Sequence, residues 1–227
     1  MEWFKYPSLE HSSDFNPQDH PGSDEPWIIT EKIHGANISI MYQQGEIVVH
    51  SRNKLLDDST SFFGFKELTK DIPLKDESVI IYGEIFGGKI QRELDYGPEI
   101  RLVMFDVWDT DHFLPFFEAK QYVESLGLTF TEPIFQGTIE SVQQWITDKA
   151  ESFHTQHSET TQIAEGVVYR SEKKHYLYKH RTVDYLEKRT GLKKIPKPPK
   201  VTKKLDEVRE YLTEARYINS LNHFGDG

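Results

Sequence analysis

The first half of the chain alternates short apolar runs with polar turns. Residues 27–33, opening on Trp27-Ile28-Ile29-Thr30, and residues 37–42 read as strands. The Gln43-Gln44-Gly45-Glu46 turn leads into a third strand at Ile47-Val48-Val49-His50. Leu55 to Asp71 is less regular, with Phe62-Phe63-Gly64-Phe65 as a packing cluster. Val79 to Phe86 and Leu102 to Trp108 are apolar on both faces, which predicts central strands. Phe117, Tyr122 and Leu126 set a helical spacing over Phe116 to Leu126, stopped by Gly127. Val142, Ile146 and Ala150 give one apolar face to a second helix from Ile139 to Phe153. Two strands follow, over residues 165–169 and 176–179. Proline excludes helix from Ile195-Pro196-Lys197-Pro198-Pro199, which predicts an extended linker. Leu205, Val208, Leu212 and Tyr217 outline a last helix. The expected organisation is one α+β domain over residues 1–194, a linker over 195–204 and a helical segment over 205–227.

Composition narrows the classes. A chain of 227 residues can bury one sizeable core. It has no cysteine, which excludes disulfides, thiolate zinc sites and cysteine nucleophiles and fits a reducing compartment. No apolar run approaches the roughly 20 residues that cross a bilayer. Met1-Glu2-Trp3-Phe4-Lys5 lacks the pattern of a secretory signal. The expectation is a soluble, intracellular (cytoplasmic) monomer with no membrane partner.

Charge changes the picture more. The formal net charge of −10 argues against a nucleic-acid binder. Its distribution argues the other way. Between Lys179 and Lys204 the basic residues include Lys179, Arg181, Lys188, Arg189, Lys193, Lys194 and Lys197, and the only acids are Asp184 and Glu187. Such a block is either a solvated linker or a hold on a polyanion.

Candidate chemistry gathers at strand ends. Lys32 ends the first apolar run and Gly35 follows three residues later, so a tight turn can present the amine to a phosphate. Ser51-Arg52-Asn53 ends the third strand. Glu84, Asp106 and Glu165 sit in apolar strands, where a lone carboxylate is costly unless paired or metal-bound. Lys179 and Arg181, two apart, share one face of a strand. For any one acid, an edge position facing water is the plainer explanation. Together with Lys32 and the two cations, the three predict a polar cleft.

This ordered set, Glu31-Lys32-Ile33-His34-Gly35-Ala36-Asn37, Arg52, Tyr82-Gly83-Glu84, Phe105-Asp106, Glu165-Gly166 and Lys179-His180-Arg181, resembles the covalent nucleotidyltransferases. It is most similar to the RNA ligase 2 family, which includes the RNA-editing ligases. Histidine two residues after the lysine is typical of that branch, where most of the superfamily has aspartate, and the opening Phe4-Lys5-Tyr6-Pro7-Ser8-Leu9-Glu10 also resembles its start. The resemblance implies a nucleotidyltransferase domain with mainly antiparallel sheets around an ATP cleft and helices packed outside. It implies that Lys32 takes AMP covalently from ATP and that His34 and Asn37 line the phosphate site. Arg52 would lie near the ribose, and Glu84 would hold a ribose hydroxyl. Phe105 would stack on adenine, with Asp106 beside it. Backbone near Glu31 and Ile33 would read the adenine edge and favour ATP over GTP. Glu165 would engage Mg2+ or Mn2+, and Lys179 and Arg181 would grip phosphates. Arg181 stands where the family usually has lysine, which changes the geometry though not the charge. Ala36 replaces the commoner threonine.

The implied reaction seals a 3′-hydroxyl to a 5′-phosphate, through lysyl-AMP and an adenylylated end, on nicked double-stranded RNA or an RNA–DNA hybrid. Only about one free lysine in a thousand is neutral near pH 7.4. Repulsion from Lys179 and Arg181 is expected to help Lys32 lose its proton. The segment after the linker resembles the start of the family's helical C-terminal domain, cut short. A small DNA ligase is the alternative enzyme. A nucleotide or RNA-end binding module that has lost catalysis is the alternative of another class, and the intact Lys32, Glu84, Glu165 and Lys179 speak against it.

Overall fold

The structure, a computed structural model, describes residues 2–16, 19, 25–57 and 59–193. One compact unit spans Met1–Arg189. Of the second unit, Thr190–Gly227, the described residues include only the end of one helix. The expected linker over 195–204, the helix beyond it and the basic residues from Lys194 onward lie outside the described residues.

The described residues form two five-stranded sheets. The first has the order β1 (Glu10–His11), β10 (Leu177–Arg181), β9 (Gly166–Ser171), β2 (Trp27–Glu31) and β8 (Pro133–Gly137). The second has the order β4 (Glu46–Ser51), β3 (Ala36–Gln43), β5 (Ile80–Gly87), β6 (Ile100–Asp109) and β7 (His112–Phe113). Every pairing is antiparallel except that of β1 with β10. The fold is α+β with mainly antiparallel sheets, as the resemblance implied.

Alternation sorts the side chains into layers. Trp27, Ile29, Val167, Tyr169 and Tyr178 leave the outer face of the first sheet and pack on Ile139 and Val142 of α3 (Ile139–Lys149). Thr138 caps that helix, its hydroxyl accepting from the Ser141 N–H at 3.3 Å. On the second sheet, Ile40, Tyr42, Ile81 and Val107 pack with Phe116, Ala119 and Val123 of α2 (Phe116–Ser125). The inner faces meet each other. Leu177 and Val168 from the first sheet join Met41, Ile80 and Tyr82 from the second, with Phe105 and Tyr6 in the same cluster. The helices therefore lie outside, and the space between the sheets is where polar strand ends can converge.

Besides the two-residue strands β1 and β7, three further elements were not foreseen. β8 begins with proline and ends with glycine, both of which punctuate loops, and it is tolerated as an edge strand. α1 (Phe65–Thr69) is too short to show a period. α4 (Val183–Lys193) occupies part of the basic block. The helix expected to reach Phe153 stops at Lys149 and tightens into a 3-10 turn over Ala150–Ser152. Among the described residues, no helix is long and apolar enough to cross a membrane.

Candidate active site

β2 delivers Lys32. Its backbone N–H continues the ladder to the Gly166 carbonyl at 3.0 Å, so alternation puts Lys32 and Thr30 on the inner face and Glu31 on the outer one. The registers Thr30↔Val168↔Lys179 and Gly166↔Arg181 bring Lys179 and Arg181 to that same inner face. Two glycines let the strands come this close. A Cβ at Gly35 would lie 2.2 Å from the Ile85 carbonyl oxygen, and one at Gly166 would lie 1.9 Å from that of His180. The glycine after Lys32 and the glycine after Glu165 are thus requirements of packing.

Glu165, just before β9, is the hub. Its Oε1 accepts from Lys32 Nζ at 2.8 Å and from Arg181 Nε at 2.9 Å. Its Oε2 faces His34 Nδ1 at 3.0 Å. The side chain is 2% exposed. Burial alone would raise its pKa, but Lys32 first and then His34 hold it down to about 2. Of the residues expected to line one cleft, Lys32, His34, Glu165 and Arg181 are in direct contact. A carboxylate lies against Lys32, and cations crowd Lys179. Burial, then Arg181, Lys32 and Arg52, lower the Lys179 ammonium below its ordinary value. Lys179 donates to the Leu9 carbonyl at 2.7 Å, and Arg52 donates to the Ser8 hydroxyl at 3.1 Å.

From the second sheet, Asn37 of β3 lies opposite Glu84 of β5, and its amide donates to the Gly83 carbonyl at 3.3 Å. Glu84 is partly buried. Burial pushes its carboxyl up to about 7, against the pull of Lys32. The consequence for stability has a definite sign. The advantage of the protonated form is complete below the ordinary value of 4.5 and is lost as pH rises through about 7. Glu84→Gln is therefore expected to melt above the wild type at pH 8, by about 5 °C, and level with it at pH 4. Thermal melts at the two pH values test this; a variant less stable at pH 8 would show that the charge is welcome there.

Other predicted residues fall differently. Phe105 is half-buried, its ring edge-on to Tyr6, in the cluster that also holds Val168. Ile33 is buried with Phe86, Leu94, Tyr96, Val103 and Tyr185, so only its backbone can face the cleft. The Glu31 carboxylate points away, accepting from the Thr155 hydroxyl and, at 2.9 Å, from the Gln156 N–H. Asp106 is not in the cleft. It is fully buried, with Tyr6 Oη at 2.9 Å, His175 Nε2 at 2.5 Å and Arg170 Nη1 at 3.1 Å. Burial would raise its pKa, but Arg170 and His175 outweigh it and lower it. Its charge serves the packing between the sheets.

Sequence reasoning missed the residues around His34. Its Nε2 lies 3.0 Å from Glu93 Oε2, its backbone N–H donates to the Tyr96 hydroxyl at 3.0 Å, and Tyr185 Oη lies 3.3 Å from Nδ1. The hydrogen bond from His34 lowers the Glu93 carboxyl below its ordinary value. No local pattern marks these partners.

A family model described as RNA ligase matches residues 25–190. The chain belongs to the RNA ligase family. The matched range contains Lys32, Glu84, Glu165 and Arg181, hence the whole cluster just described. The mitochondrial RNA-editing ligase 2 of Trypanosoma brucei brucei is 31% identical over 83 residues, which cover 29% of this chain and 20% of the relative. Among solved structures, a Naegleria gruberi RNA ligase mutant with ATP and Mn shares the fold at a TM-score of 0.68 and 17% identity, over 82% of this chain and 58% of that one. The same ligase with PPi gives 0.68 at 18% identity, over 83% and 58%. A further mutant of it with AMP and Mn gives 0.65 at 18%, over 82% and 58%. The family member described here therefore spans less than two thirds of the length of these relatives.

Proposed function

We propose that this RNA ligase homologue is an ATP-dependent RNA ligase that works through lysyl-AMP on Lys32. The observation that supports this most is the convergence of Lys32, His34, Arg181 and Glu165 in contact, with Lys179 on the same inner face. Naegleria gruberi RNA ligase, which shares the fold, has been solved with ATP, AMP, PPi and Mn.

The residues suit a nucleotide. Arg181, Lys32 and Arg52 all lie close enough to act on Lys179 at the cleft. Glu84, in the same cleft, offers a carboxyl for a ribose hydroxyl. Phe105 and Val168, from opposite sheets, offer apolar walls for a base. A metal suits less independently. Among the described residues, no group of three or more His, Asp or Glu side chains is set to hold one. A magnesium or manganese ion carried by the ATP phosphates would need only a carboxylate such as Glu165. Bound in that way, it would neutralise charge on the phosphates.

Lys32 Nζ attacks the α-phosphorus; the N–P bond forms as the bond to pyrophosphate breaks. Glu165 Oε1, at 2.8 Å, orients Nζ for this attack. Lys179 and Arg181 hold phosphate oxygens, a task of positioning and charge. AMP then passes to a 5′-phosphate, and a 3′-hydroxyl displaces it, sealing RNA in a nicked duplex or hybrid. Incubation with α-labelled ATP and magnesium should leave acid-labile label on the protein; no label at any pH would remove the reading. Nicks differing only in the 3′-side sugar separate an RNA ligase from a DNA ligase.

The basic block adds a prediction. Reversing charge at Lys193, Lys194 and Lys197 is expected to cut sealing at least tenfold while label formation changes less than twofold, because a basic block of this kind serves a polyanion longer than ATP. Binding to a nicked duplex should also weaken steeply with salt. Equal loss of both steps would mean the block is a solvated segment.

A further inference from the structure

His34 is held at both ring nitrogens and at its backbone N–H. Glu93 Oε2 lies 3.0 Å from Nε2, Glu165 Oε2 3.0 Å from Nδ1, and Tyr185 Oη 3.3 Å from Nδ1, while the Tyr96 hydroxyl receives the backbone N–H at 3.0 Å. The ring also packs edge-on against Tyr185, with centroids 4.9 Å apart. An imidazole fixed at both nitrogens has one orientation, and the group on the far nitrogen decides what the near one presents. Glu93 and Tyr96 both come from the connection between β5 and β6, residues 88–99. Leu94 and Tyr96 root that connection in a core shared with Ile33, Phe86 and Tyr185. Glu93 itself stays at the surface of the site, 16% exposed.

We infer that Glu93 is a positioning residue for the adenylylation step: it fixes His34, His34 fixes Oε2 of Glu165, and Oε1 is thereby left facing Lys32. The inference rests on the ligase reading and adds a residue to it. A carboxylate has two oxygens and one torsion. With Oε2 held by His34, Oε1 stays between Lys32 Nζ and Arg181 Nε. With His34 free to turn, Glu165 can rotate and Lys32 loses its defined acceptor. Glu93 touches neither Lys32 nor the cations Lys179 and Arg52, so its loss should leave ATP binding alone. Groups that position a reacting side chain through an intermediary typically cost tenfold or more when removed.

The test measures single-turnover formation of lysyl-AMP over a range of ATP concentrations in four proteins: wild type, Glu93→Ala, His34→Ala and the double variant. Glu93→Ala should slow the maximal rate about tenfold, with half-saturating ATP within twofold of wild type. In the His34→Ala background, Glu93→Ala should add less than a twofold loss, because its effect passes through the ring. Glu93→Gln, whose amide oxygen can still accept from Nε2–H, should keep at least a third of the wild-type rate and guards against an alanine variant that does not fold. A full independent loss in the double variant, a change confined to half-saturating ATP, or a glutamine variant as slow as alanine would each overturn the inference. A wild-type protein that takes no label would overturn the ligase reading instead, and a wild-type rate in Glu93→Ala would remove only this proposal.

Discussion

Lys32→Ala is expected to reduce covalent AMP transfer to background while the protein remains folded. Alanine has no amine with which to form the phosphoramide. The change also removes one cation from Glu165, but Arg181 and His34 remain on that carboxylate at 2.9 and 3.0 Å. The Lys32 side chain is 17% exposed and contributes little to the core, so the melting temperature should move by only a few degrees. Lys32→Arg sharpens the result. Arginine can keep the ion pair with Glu165, yet its guanidinium does not lose a proton near neutral pH. Both variants should be silent in the labelling assay, although one of them preserves the charge. Label at a normal level in Lys32→Ala would put the nucleophile elsewhere.

The position of the lysine was legible because its surroundings are local, while its role came from the resemblance carried by the motifs further along the chain. A strand, an exit and a glycine three residues later can be read from periodicity and turn chemistry, and the structure adds the reason for that glycine in the Ile85 carbonyl against Gly35. Lys179 and Arg181 were legible for the same reason, since two residues apart on a strand means one face. What was not legible is contact across long separations. Glu93 meets His34 across 59 residues and Tyr185 meets it across 151, and nothing at either position signals the other. Asp106 was misplaced by the same blindness. A buried acid in an apolar strand can line a cleft or sit in an ion pair, and the partners that decide, Arg170 and His175, lie on and just beyond β9. Helix α4 escaped because its charged residues hide a weak apolar stripe, whereas α3 carries Val142 and Ile146 at clear helical spacing.

Glu165→Gln should damage both catalysis and stability, and the second effect has a distinctive dependence on pH. The native carboxyl is held at about 2, against an ordinary 4.5. A depressed acid adds stability above its unfolded pKa, and that stability is lost as pH falls through the folded one. The contribution is therefore complete above about pH 5 and drains away between 4.5 and 2, with a size on the order of 3 kcal/mol. Lys32 and Arg181 are 17% and 23% exposed and can partly rehydrate when their partner is neutralised, which trims the loss to about 2 kcal/mol. For a chain of this length that is roughly a 4–8 °C fall in melting temperature, constant from pH 5 to 8 and shrinking below pH 4.5. Glu84→Gln, at the position paired with Asn37 in the same cleft, should move the other way, gaining stability at high pH. Two carboxylates of one site, pushed to opposite sides of the ordinary value, give two substitutions of identical chemistry with opposite signs at pH 8. Parallel melts of the two variants decide the matter: if both destabilise, or both are neutral, the charge distribution drawn here around Lys32 does not hold in solution.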